Sequence, residues 1–477
     1  MEILLVKPKA VLGPVLGLEA FQRLEPVELG YLAAAVPRRH AVRVLDLRLQ
    51  RRPWRALDRA LAARPPDLVG ITGYTHESSM VKEIARRLRE RSPRTTVVVG
   101  GHHATVAADD YDLPSIDAIV RGEGCAAFAE IVARVEARKP IEGIPHVTGT
   151  GERFDPEAIR TWPRFPDPAT LPAPRRDLWD PRSYRAVWVC ENASPFQPLF
   201  PPVSLVRSSW GCRMKSTFCV VPHLCGGEHR PRPAELVADE IAALPTDHVY
   251  FSDDENFIDE AYAYELAEEL ARRDVRKRYF AWTRSTTVNR SPELLRRWRE
   301  IGLDGAFLGF EYADDRHLKR VQKGGTVAAN ERALDRLRAV GVAVHAAFMV
   351  DPEFDEPEFD ALADYIRGMP PAQCSLTVRT PSPGTDDYRE MRPGMWVERP
   401  YDLHDCMHPL VPTALPLRRF ADRLARQASD GVAKTPLRAQ HRPLRPRDLW
   451  RVTWAQRRYV HGYRTLYRDY PREMWDR

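Results

Sequence analysis

The sequence lacks an apolar run long enough to cross a bilayer, and it has only seven cysteines in 477 residues. Without such a run, a membrane-spanning helix is excluded. Residues 1–6 have the pattern of a buried strand rather than a secretion signal, so we expect a cytoplasmic protein. The cysteines, at positions 125, 190, 212, 219, 225, 374 and 406, are unevenly spread. That spread predicts reduced thiols and not a disulfide framework.

A cysteine is also missing from the most informative stretch of the chain. Cys212, Ser216 and Cys219 have the spacing C-x3-C-x2-C, except that the middle residue is a serine. Three thiolates at this spacing can hold three irons of a four-iron cluster and leave the fourth iron open to a small chelating molecule. A serine hydroxyl ionises far less readily than a thiol, and its hard oxygen suits cluster iron less well than sulfur. We therefore expect Ser216 to be a poor substitute ligand.

Residues 1–137 alternate short apolar runs with amphipathic stretches, which predicts a parallel, doubly wound sheet. The predicted strands are 3–6, 41–45, 68–72, 96–99 and 118–120, and the predicted helices include 80–90 and 126–137. Ligands of such sheets bind at the carboxyl ends of the strands. The candidate binding residues at that edge are Thr72, Gly73, Tyr74, Gly100, Gly101, His102, Gly122, Glu123 and Gly124. Glycines there let backbone approach a large flat ligand, although the residues alone would suit a nucleotide equally well.

Residues 138–200 are proline-rich and aperiodic, with prolines at 163, 166, 168, 172 and 174. This composition predicts a linker that wraps two domains without adding a core. From about 201 to 400 a second alternation predicts strands at 204–207, 248–252, 279–283, 305–309, 343–349 and 375–380. Six such units fit an open, partial TIM-like (β/α)6 barrel, whose reactive groups lie at the carboxyl ends of the strands. The candidate residues at those ends are Asp253, Asp254, Arg284 and Glu311.

Several short motifs occur in one order along residues 1–413. Besides the cysteine–serine motif they are 24–32, 100–105, 122–124, 309–311 and 380–385. Together they resemble the radical S-adenosylmethionine (SAM) enzymes that carry an N-terminal cobalamin-binding domain, of the class B methyltransferase type. The resemblance implies a four-iron, four-sulfur (4Fe-4S) cluster at Cys212, Ser216 and Cys219, weak or absent because of the serine. It also implies SAM near the four barrel residues and cobalamin at the edge of the first sheet.

The chain lacks the D-x-H-x-x-G signature that supplies a histidine to cobalt in other cobalamin proteins. The resemblance thus implies that cobalamin is bound without such a ligand. His76, His102 and His103 are expected to be solvated or hydrogen-bonded rather than metal-bound. A further departure is Asp351, in a segment where many relatives have a glycine beside adenine.

Structural alternatives exist for several of these residues. Residues 253–255 would suit the capped first turn of a helix, and residues 311–315 would also suit a cap, with Lys323 as a solvated partner. Cys225 lies six residues beyond Cys219 and could replace the missing ligand if the loop folds back. Cys125, Cys374 and Cys406 are expected to be small apolar core residues.

The region 401–477 is predicted to be helical, basic and aromatic. Residues 434–477 contain twelve basic and four acidic side chains, a formal charge of +8, with aromatic residues interleaved. This pattern would suit an anionic membrane surface, nucleic acid or packing on the barrel, and we expect packing and no nucleic acid. Residues 401–413 resemble a segment of family members that act on hopanoids, which indicates a lipid substrate.

Three functions are consistent with the sequence. The first is a cobalamin-dependent radical SAM methyltransferase that acts on an unactivated carbon of a bulky, lipid-like small molecule. The second is a cyclase or rearrangement enzyme that uses the same cofactors. The third is an inactive or binding-only variant, with Ser216 natural or engineered. The resemblance further implies an external electron donor such as flavodoxin or ferredoxin, and we expect a monomer.

Overall fold

The computed structural model describes residues 1–149, 151, 167–435 and 443–476. Two largely parallel β-sheets follow one another along the chain, and two long helices come after them. The predicted α/β architecture is therefore confirmed. Within the described residues, no helix combines the length and the apolar character needed to cross a membrane.

The first sheet is built from strands that alternate with helices. Its region contains β1 (Glu2–Lys7), α1 (Gly13–Glu19), β2 (Gln22–Arg23), α2 (Val27–Ala35), β3 (Ala41–Asp46), α3 (Pro53–Ala63), β4 (Leu68–Thr72), α4 (Ser78–Arg91), β5 (Thr96–Gly100), α5 (His102–Val106), β6 (Ala118–Val120), α6 (Cys125–Glu136) and β7 (Val147–Gly149). The strand order is β3-β1-β4-β5-β6-β7, with only β7 antiparallel to its neighbour. The predicted strands and helices of this region are confirmed to within two residues. The edge strand β7 lies beyond the predicted boundary at 137.

Helices cover both faces of this sheet because its strands are apolar on both faces. In β1, Ile3 and Leu5 pack with Phe128 of α6. Leu4 and Val6 belong to a separate buried cluster on the other face. Successive side chains of a strand point to opposite faces, so one continuous apolar run supplies two cores.

The second sheet forms the predicted open barrel. Its region contains β8 (Arg185–Ala186), β9 (Val203–Val206), β10 (Ser209–Trp210), α7 (Val221–Cys225), β11 (Arg230–Pro231), α8 (Ala234–Ala242), β12 (His248–Phe251), α9 (Glu260–Arg272), β13 (Arg278–Thr283), α10 (Ser285–Arg290), α11 (Pro292–Glu300), β14 (Leu303–Glu311), α12 (Asp315–Arg320), α13 (Val327–Ala339), β15 (Ala343–Val350), α14 (Glu356–Gly368), β16 (Gln373–Val378) and α15 (Asp386–Met391). The six long strands are parallel in the order β16-β15-β14-β13-β12-β9. Two-residue strands pair as β2 with β8 and β10 with β11.

Residues 167–200 pack between the two sheets. Leu171, Ala186 and Trp188 join a buried cluster that also contains Tyr31 of α2 and Phe280 of β13. The expectation that residues 138–200 add no core is therefore wrong for this part of the segment. Its apolar residues follow neither strand nor helix periodicity, so the pattern alone does not show their burial. Pro163 and Pro166 lie outside the described residues.

An ion-pair network joins this segment to both domains. Arg176 donates hydrogen bonds to Glu25, before α2, and to Glu240 of α8, at 2.5 and 2.7 Å. It also donates to the carbonyl oxygen of Leu205 in β9, at 2.6 Å. One guanidinium thus connects the first domain, the connecting segment and the barrel.

The last two helices, α16 (Leu417–Lys434) and α17 (Pro446–Thr465), cover the open edge of the barrel. Tyr459 accepts a hydrogen bond from the N–H of Leu376 in β16, at 3.1 Å, and Tyr463 donates one to the carbonyl of Leu376, at 2.5 Å. An edge strand otherwise exposes unpaired backbone groups. The expected packing of the aromatic tail on the barrel is therefore confirmed for the buried face of α17.

Candidate active site between the two sheets

A cavity of about 580 Å³ is lined by residues from the carboxyl ends of both sheets. Lys7 and Tyr74 line it from the first sheet. The barrel contributes Cys212, Ser216, Cys219, Asp253, Asp254, Arg284, Glu311 and Lys323. Apolar side chains form much of the wall, among them Val15, Leu18, Leu24, Leu205, Met214, Phe218, Tyr250, Trp282 and Phe307. The predicted barrel residues thus come together at one cavity.

Asp253 fixes the start of the loop that carries the cysteines. Its carboxylate accepts hydrogen bonds from the hydroxyls of Ser208 and Ser209, both at 2.6 Å, and from the N–H of Ser208 at 3.0 Å. Burial raises the pKa of Asp253, and the bonds from the serines act in the opposite direction. The carboxylate is thus engaged with the protein itself. Its predicted contact with SAM stays a prediction.

Asp254 holds the next part of the same loop. It accepts the N–H of Gly211 at 2.9 Å and pairs with Arg207 at 2.9 Å. Gly211 has φ +86, and an added Cβ would overlap the carbonyl of Glu228, so only glycine fits this turn. Asp253 and Asp254 together position the residue before Cys212.

The two thiols and the serine hydroxyl form the candidate cluster site. Burial raises the pKa of Cys212 and raises that of Cys219 to about 11. Ser216 is buried, and its Oγ has no hydrogen-bond partner among the described residues. A buried hydroxyl without a partner is costly, which makes a ligand at this position favourable. The donor set therefore suits a metal cluster, with two sulfur donors and one oxygen donor in place of three sulfurs.

The remaining cysteines lie outside the cavity lining. Cys225 ends α7 and is buried, and a Cβ on Gly211 would lie 3.0 Å from its Cβ, so its side chain packs against the start of the loop. Cys125 and Cys374 are buried as expected. Cys406 is exposed, which corrects the prediction of a core residue, and its φ of +61 places it at a turn. Among the described residues, no three His, Cys, Asp or Glu side chains are grouped to hold a single metal ion.

Glu311 and Lys323 form a largely enclosed ion pair in the cavity, with side chains 12% and 14% exposed. Glu311 ends β14 with φ +62, a strained conformation that is uncommon outside glycine and is typical of functional sites. A Cβ on Gly309 would overlap this pair, so glycine leaves the space for it. The alternative of Lys323 as a solvated partner is wrong. The alternative of a cap within residues 311–315 is confirmed at Asp314, which accepts the N–H of His317 in α12 at 2.9 Å.

Arg284 follows β13 and leaves one donor free. Its Nη2 donates to the carbonyl of Lys323, whereas its buried Nε has no hydrogen-bond partner among the described residues. A guanidinium with a free donor suits a carboxylate. Arg284 and the Glu311–Lys323 pair thus offer groups of both signs to a ligand that carries an ammonium and a carboxylate.

The alternative of a helix cap at residues 253–255 is wrong. The next helix, α9, begins at Glu260, and its cap is Asp259, which accepts the N–H of Tyr262 at 3.1 Å. Glu255 is buried and accepts a hydrogen bond from Thr283 at 3.0 Å, and burial raises its pKa to about 7. The three acids lie in the loop after β12, where Asp253 and Asp254 accept hydrogen bonds from residues 208–211.

At the edge of the first sheet, two glycines are required by internal packing. A Cβ on Gly101 would lie 2.5 Å from the Oγ1 of Thr72, and Gly101 also has φ +94. A Cβ on Gly73 would lie 2.7 Å from Val81. Gly100 differs, because its Cβ would meet no atom closer than 3.5 Å. The sequence pattern predicts these glycines only as positions where a ligand approaches the backbone. The structure shows that Gly73 and Gly101 are also needed for close packing against neighbouring side chains.

Tyr74 is the member of the predicted first-sheet set that lines the cavity, and it is 51% exposed. Its ring stacks on His76 and meets His102 edge-on, with centroids 5.9 and 5.8 Å apart. Burial lowers the pKa of His102 to about 4. His103 is buried with Nε2 3.1 Å from Asp110, as expected of a hydrogen-bonding residue.

Gly122, Glu123 and Gly124 lie at the same edge, outside the cavity lining. Gly122 has φ +73, and its N–H donates to Thr105 at 2.9 Å. Glu123 accepts the N–H of Cys125 at the start of α6, at 2.9 Å. These residues therefore shape the turn between β6 and α6. The exposed aromatic ring of Tyr74 beside open space suits a large flat ligand, so this edge fits cobalamin.

Lys7 was missed by the sequence interpretation. Its side chain is 6% exposed, pairs with Glu28 of α2 at 3.1 Å, and has its Nζ 4.6 Å from the centroid of the Tyr74 ring. A lone lysine directly after the apolar run of β1 could have indicated it, because charge at a strand's carboxyl end is typical of a binding edge. Ser208 and Ser209 were also missed, since serines before a turn are common.

Two family models match the chain. Residues 13–132 match the B12 binding domain and residues 207–366 match the Radical SAM superfamily. The first match covers most of the first sheet, and the second runs from the end of β9 into α14.

Two known proteins are similar over long stretches. The hopanoid C-3 methylase of Methylococcus capsulatus is 27% identical over 432 residues, which are 89% of this chain and 79% of that protein. The anaerobic magnesium-protoporphyrin IX monomethyl ester cyclase of Rubrivivax gelatinosus is 27% identical over 339 residues, which are 68% of this chain and 58% of that protein.

Solved structures have the same fold. TsrM from Kitasatospora setae, with cobalamin and a 4Fe-4S cluster bound, matches 93% of this chain and 91% of its own, with a TM-score of 0.64 and 19% identity. OxsB, with aqua-cobalamin and SAM bound, matches 98% of this chain and 72% of its own, with a TM-score of 0.68 and 14% identity. The chain therefore belongs to the cobalamin-dependent radical SAM enzymes, with a B12-binding domain in its first sheet and a radical SAM domain in its barrel.

Proposed function

We propose that this enzyme methylates an unactivated carbon of a bulky, lipid-like small molecule. The observation that carries the proposal is the cavity between the two sheets, whose wall is largely apolar and also carries charged side chains from both the first domain and the barrel. An apolar wall with a few charged groups suits an apolar substrate beside a charged co-substrate. The similarity to a hopanoid C-3 methylase over 89% of the chain supports the same substrate class.

The cofactors would be held by residues of both domains. Cys212, Ser216 and Cys219 would bind the cluster, and Arg284 with the Glu311–Lys323 pair would bind the carboxylate and ammonium of SAM. The first-sheet edge around Tyr74 would bind cobalamin. When bound, these groups supply a carbon-activating radical and a transferable methyl group, which are the chemistry of the cofactors and not of the protein.

The protein itself would position the reactants and exclude water. Asp253 and Asp254 hold the cysteine loop in place through their bonds to Ser208 and Gly211. Trp282 and Phe307 pack with ring centroids 3.9 Å apart in the cavity wall. Rigid aromatic rings of this kind can orient an apolar substrate at little cost in side-chain entropy.

Ser216 limits this activity in our proposal. With one oxygen donor in place of a thiolate, the cluster would be labile and the chain would turn over slowly or act only as a binding protein. Rescue by Cys225 stays the alternative, because its thiol lies outside the cavity lining but its side chain packs against Gly211, directly before Cys212.

Cyclisation or rearrangement is the second candidate function. It is supported by the similarity to a cyclase over 68% of the chain. The two functions differ in the product, because methylation adds a carbon to the substrate and cyclisation does not.

The test uses the full chain and Ser216→Cys, both reconstituted anaerobically with iron, sulfide and cobalamin. Each receives SAM with a deuterated methyl group, a reductant and a mixture of polycyclic lipids. We expect Ser216→Cys to place one deuterated methyl on a lipid, as seen by mass spectrometry. A product that loses hydrogen without gaining the label would support cyclisation instead. Cleavage of SAM without any labelled or cyclised lipid would contradict the proposed substrate class.

A further inference from the structure

One face of α17 is exposed and begins with large apolar side chains. Leu449, Trp450 and Trp454 are 55%, 69% and 42% exposed. The two tryptophan rings are parallel, with an interplanar angle of 10° and centroids 6.3 Å apart. The opposite face, which includes Tyr459 and Tyr463, is buried on the barrel. The packing on the barrel therefore does not explain the two exposed tryptophans, although the guanidinium of Arg458 lies 5.2 Å from the centroid of the Trp454 ring.

A neighbouring segment adds to this apolar end of the helix. Phe196 is 55% exposed, and its N–H donates to the carbonyl of Pro443, three residues before α17, at 3.2 Å. The N–H of Leu199 donates to Asp448 in the first turn, at 3.2 Å. Residues 196–199 thus run beside the start of α17. We name Phe196, Leu449, Trp450 and Trp454 the apolar patch.

Arginines follow the apolar patch along the same exposed face. Arg457, Arg464 and Arg468 are exposed at helical spacing. In the described part of the chain, ion pairs within 4.0 Å are absent for the arginines at 445, 447, 451, 457, 458, 464, 468 and 472. By contrast, three arginines of the neighbouring α16 are in ion pairs, for example Arg423 with Glu356 at 3.1 Å. The arginines of α17 and of the residues that flank it are therefore not paired with carboxylates within the described fold.

We propose that this face of α17 docks the protein on a membrane surface that contains anionic lipids. Tryptophan rings favour the boundary between lipid tails and headgroups, and arginines favour lipid phosphates. Because no described helix can cross a membrane, the contact would be peripheral. The uncompensated positive charge favours an anionic surface over a neutral partner.

Docking would bring the cavity close to the membrane. Helix α1 contributes Val15 and Leu18 to the cavity wall. Its Gly17 touches α17, since an added Cβ would lie 2.7 Å from the Cα of Tyr459. A helix that lines the cavity is thus in direct contact with the docking helix. Only this link to a lipid-like substrate depends on the proposed function, whereas the docking itself does not.

The test is co-sedimentation of the full chain with vesicles of phosphatidylcholine alone or mixed with phosphatidylglycerol, without cofactors or substrate. We expect binding to the mixed vesicles. Trp450→Ser with Trp454→Ser, and Arg447→Glu with Arg457→Glu and Arg464→Glu, should each weaken it about tenfold or more. All five side chains are exposed, so folding should be retained, as circular dichroism would verify.

Two matched controls separate this face from general effects. Leu236→Ser removes an apolar side chain of α8 that is 44% exposed, and Arg51→Glu with Arg52→Glu and Arg55→Glu makes the same charge change at α3. Both should bind within about twofold of the unaltered chain. An equal loss in the α3 variant, or no binding to mixed vesicles, would overturn the proposal. Self-association or RNA binding that depends on the tryptophans, without vesicle binding, would also overturn it.

Discussion

The two edges that meet at the cavity are built in different ways. At the first sheet, Gly73 and Gly101 are packed against their neighbours, and burial lowers the pKa of His102 to about 4. At the barrel, charges are paired, and His408 in the loop after α15 is held between Asp405 and Asp469, at 2.8 and 3.1 Å. The first edge is shaped by packing at its glycines, carries the Lys7–Glu28 ion pair at 3.1 Å, and suits a large flat ligand. The second is shaped by charge and suits SAM and metal donors.

The largest effect is expected from removing a charge at the barrel edge. Asp253→Ala leaves the N–H and hydroxyl of Ser208 and the hydroxyl of Ser209 without their shared acceptor. We expect a loss of about 3–5 kcal/mol in the free energy of unfolding, measured with urea. Asp239→Ala is the control, because Asp239 is exposed and has Arg273 as its one ion-pair partner among the described residues, and it should cost less than about 1 kcal/mol. Equal effects would show that the barrel edge is not held by its charges.

The buried His408 of the barrel edge should make the free energy of unfolding depend on pH. Burial opposes the charge on His408, but Asp405 and Asp469 outweigh it and raise its pKa to about 9. Because the pKa of His408 is raised in the folded state, its protonation stabilises the protein fully below pH 6.5. This contribution is lost as the pH rises through about 9. We expect a decrease on the order of 3 kcal/mol across that window, measured by urea unfolding. His408→Gln should flatten the profile, and an unchanged slope would contradict the assignment.

A smaller effect is expected from a methyl group at the first edge. Gly101→Ala combines φ +94 with a Cβ 2.5 Å from Thr72, so it should cost about 1–3 kcal/mol and reduce cobalamin uptake. Gly100→Ala is the matched control, because its Cβ meets nothing closer than 3.5 Å, and it should cost less than about 1 kcal/mol. Similar unfolding curves for the two variants would mean that packing does not shape this edge. Unchanged cobalamin uptake in larger replacements at both positions would count against the cobalamin site.

The smallest of these effects concerns ligand affinity. Glu311→Ala removes one partner of the enclosed pair with Lys323, and we expect about tenfold weaker SAM binding by calorimetry. The control is Glu353→Ala, since Glu353 is exposed and pairs with Arg320 at 2.7 Å. Its SAM affinity should be unchanged. If both variants bind SAM as the unaltered chain does, Glu311 is not a SAM residue.

The strands of both sheets could be predicted because apolar runs between turn residues specify buried parallel strands. That fold places Asp253, Asp254, Arg284 and Glu311 at one cavity, as their positions at strand ends predict. Their partners could not be predicted in the same way. Ser208 lies 45 residues before Asp253, and no local pattern shows which distant group a carboxylate will accept.

The burial of residues outside helices and strands could not be predicted from the sequence either. Trp188 is buried in a segment without periodicity, where it donates to Asp304 at 2.8 Å. Cys406 is exposed although cysteine is usually buried, and it sits at a turn with φ +61. The alternative of a cap at residues 253–255 follows from the frequency of acids in the first turn of helices, yet the chain forms a loop there.

The central claim is that Ser216 weakens the binding of the iron–sulfur cluster at the barrel edge. The iron and sulfide content of the reconstituted chain tests this claim most directly. After anaerobic reconstitution and desalting, we expect Ser216→Cys to keep about four irons per chain and the unaltered chain to lose most of them. A full, stable cluster in the unaltered chain would contradict the account. If Cys225→Ala then abolished that cluster, Cys225 would be the third ligand, and if the cluster survived, the Ser216 oxygen or an external ligand would be.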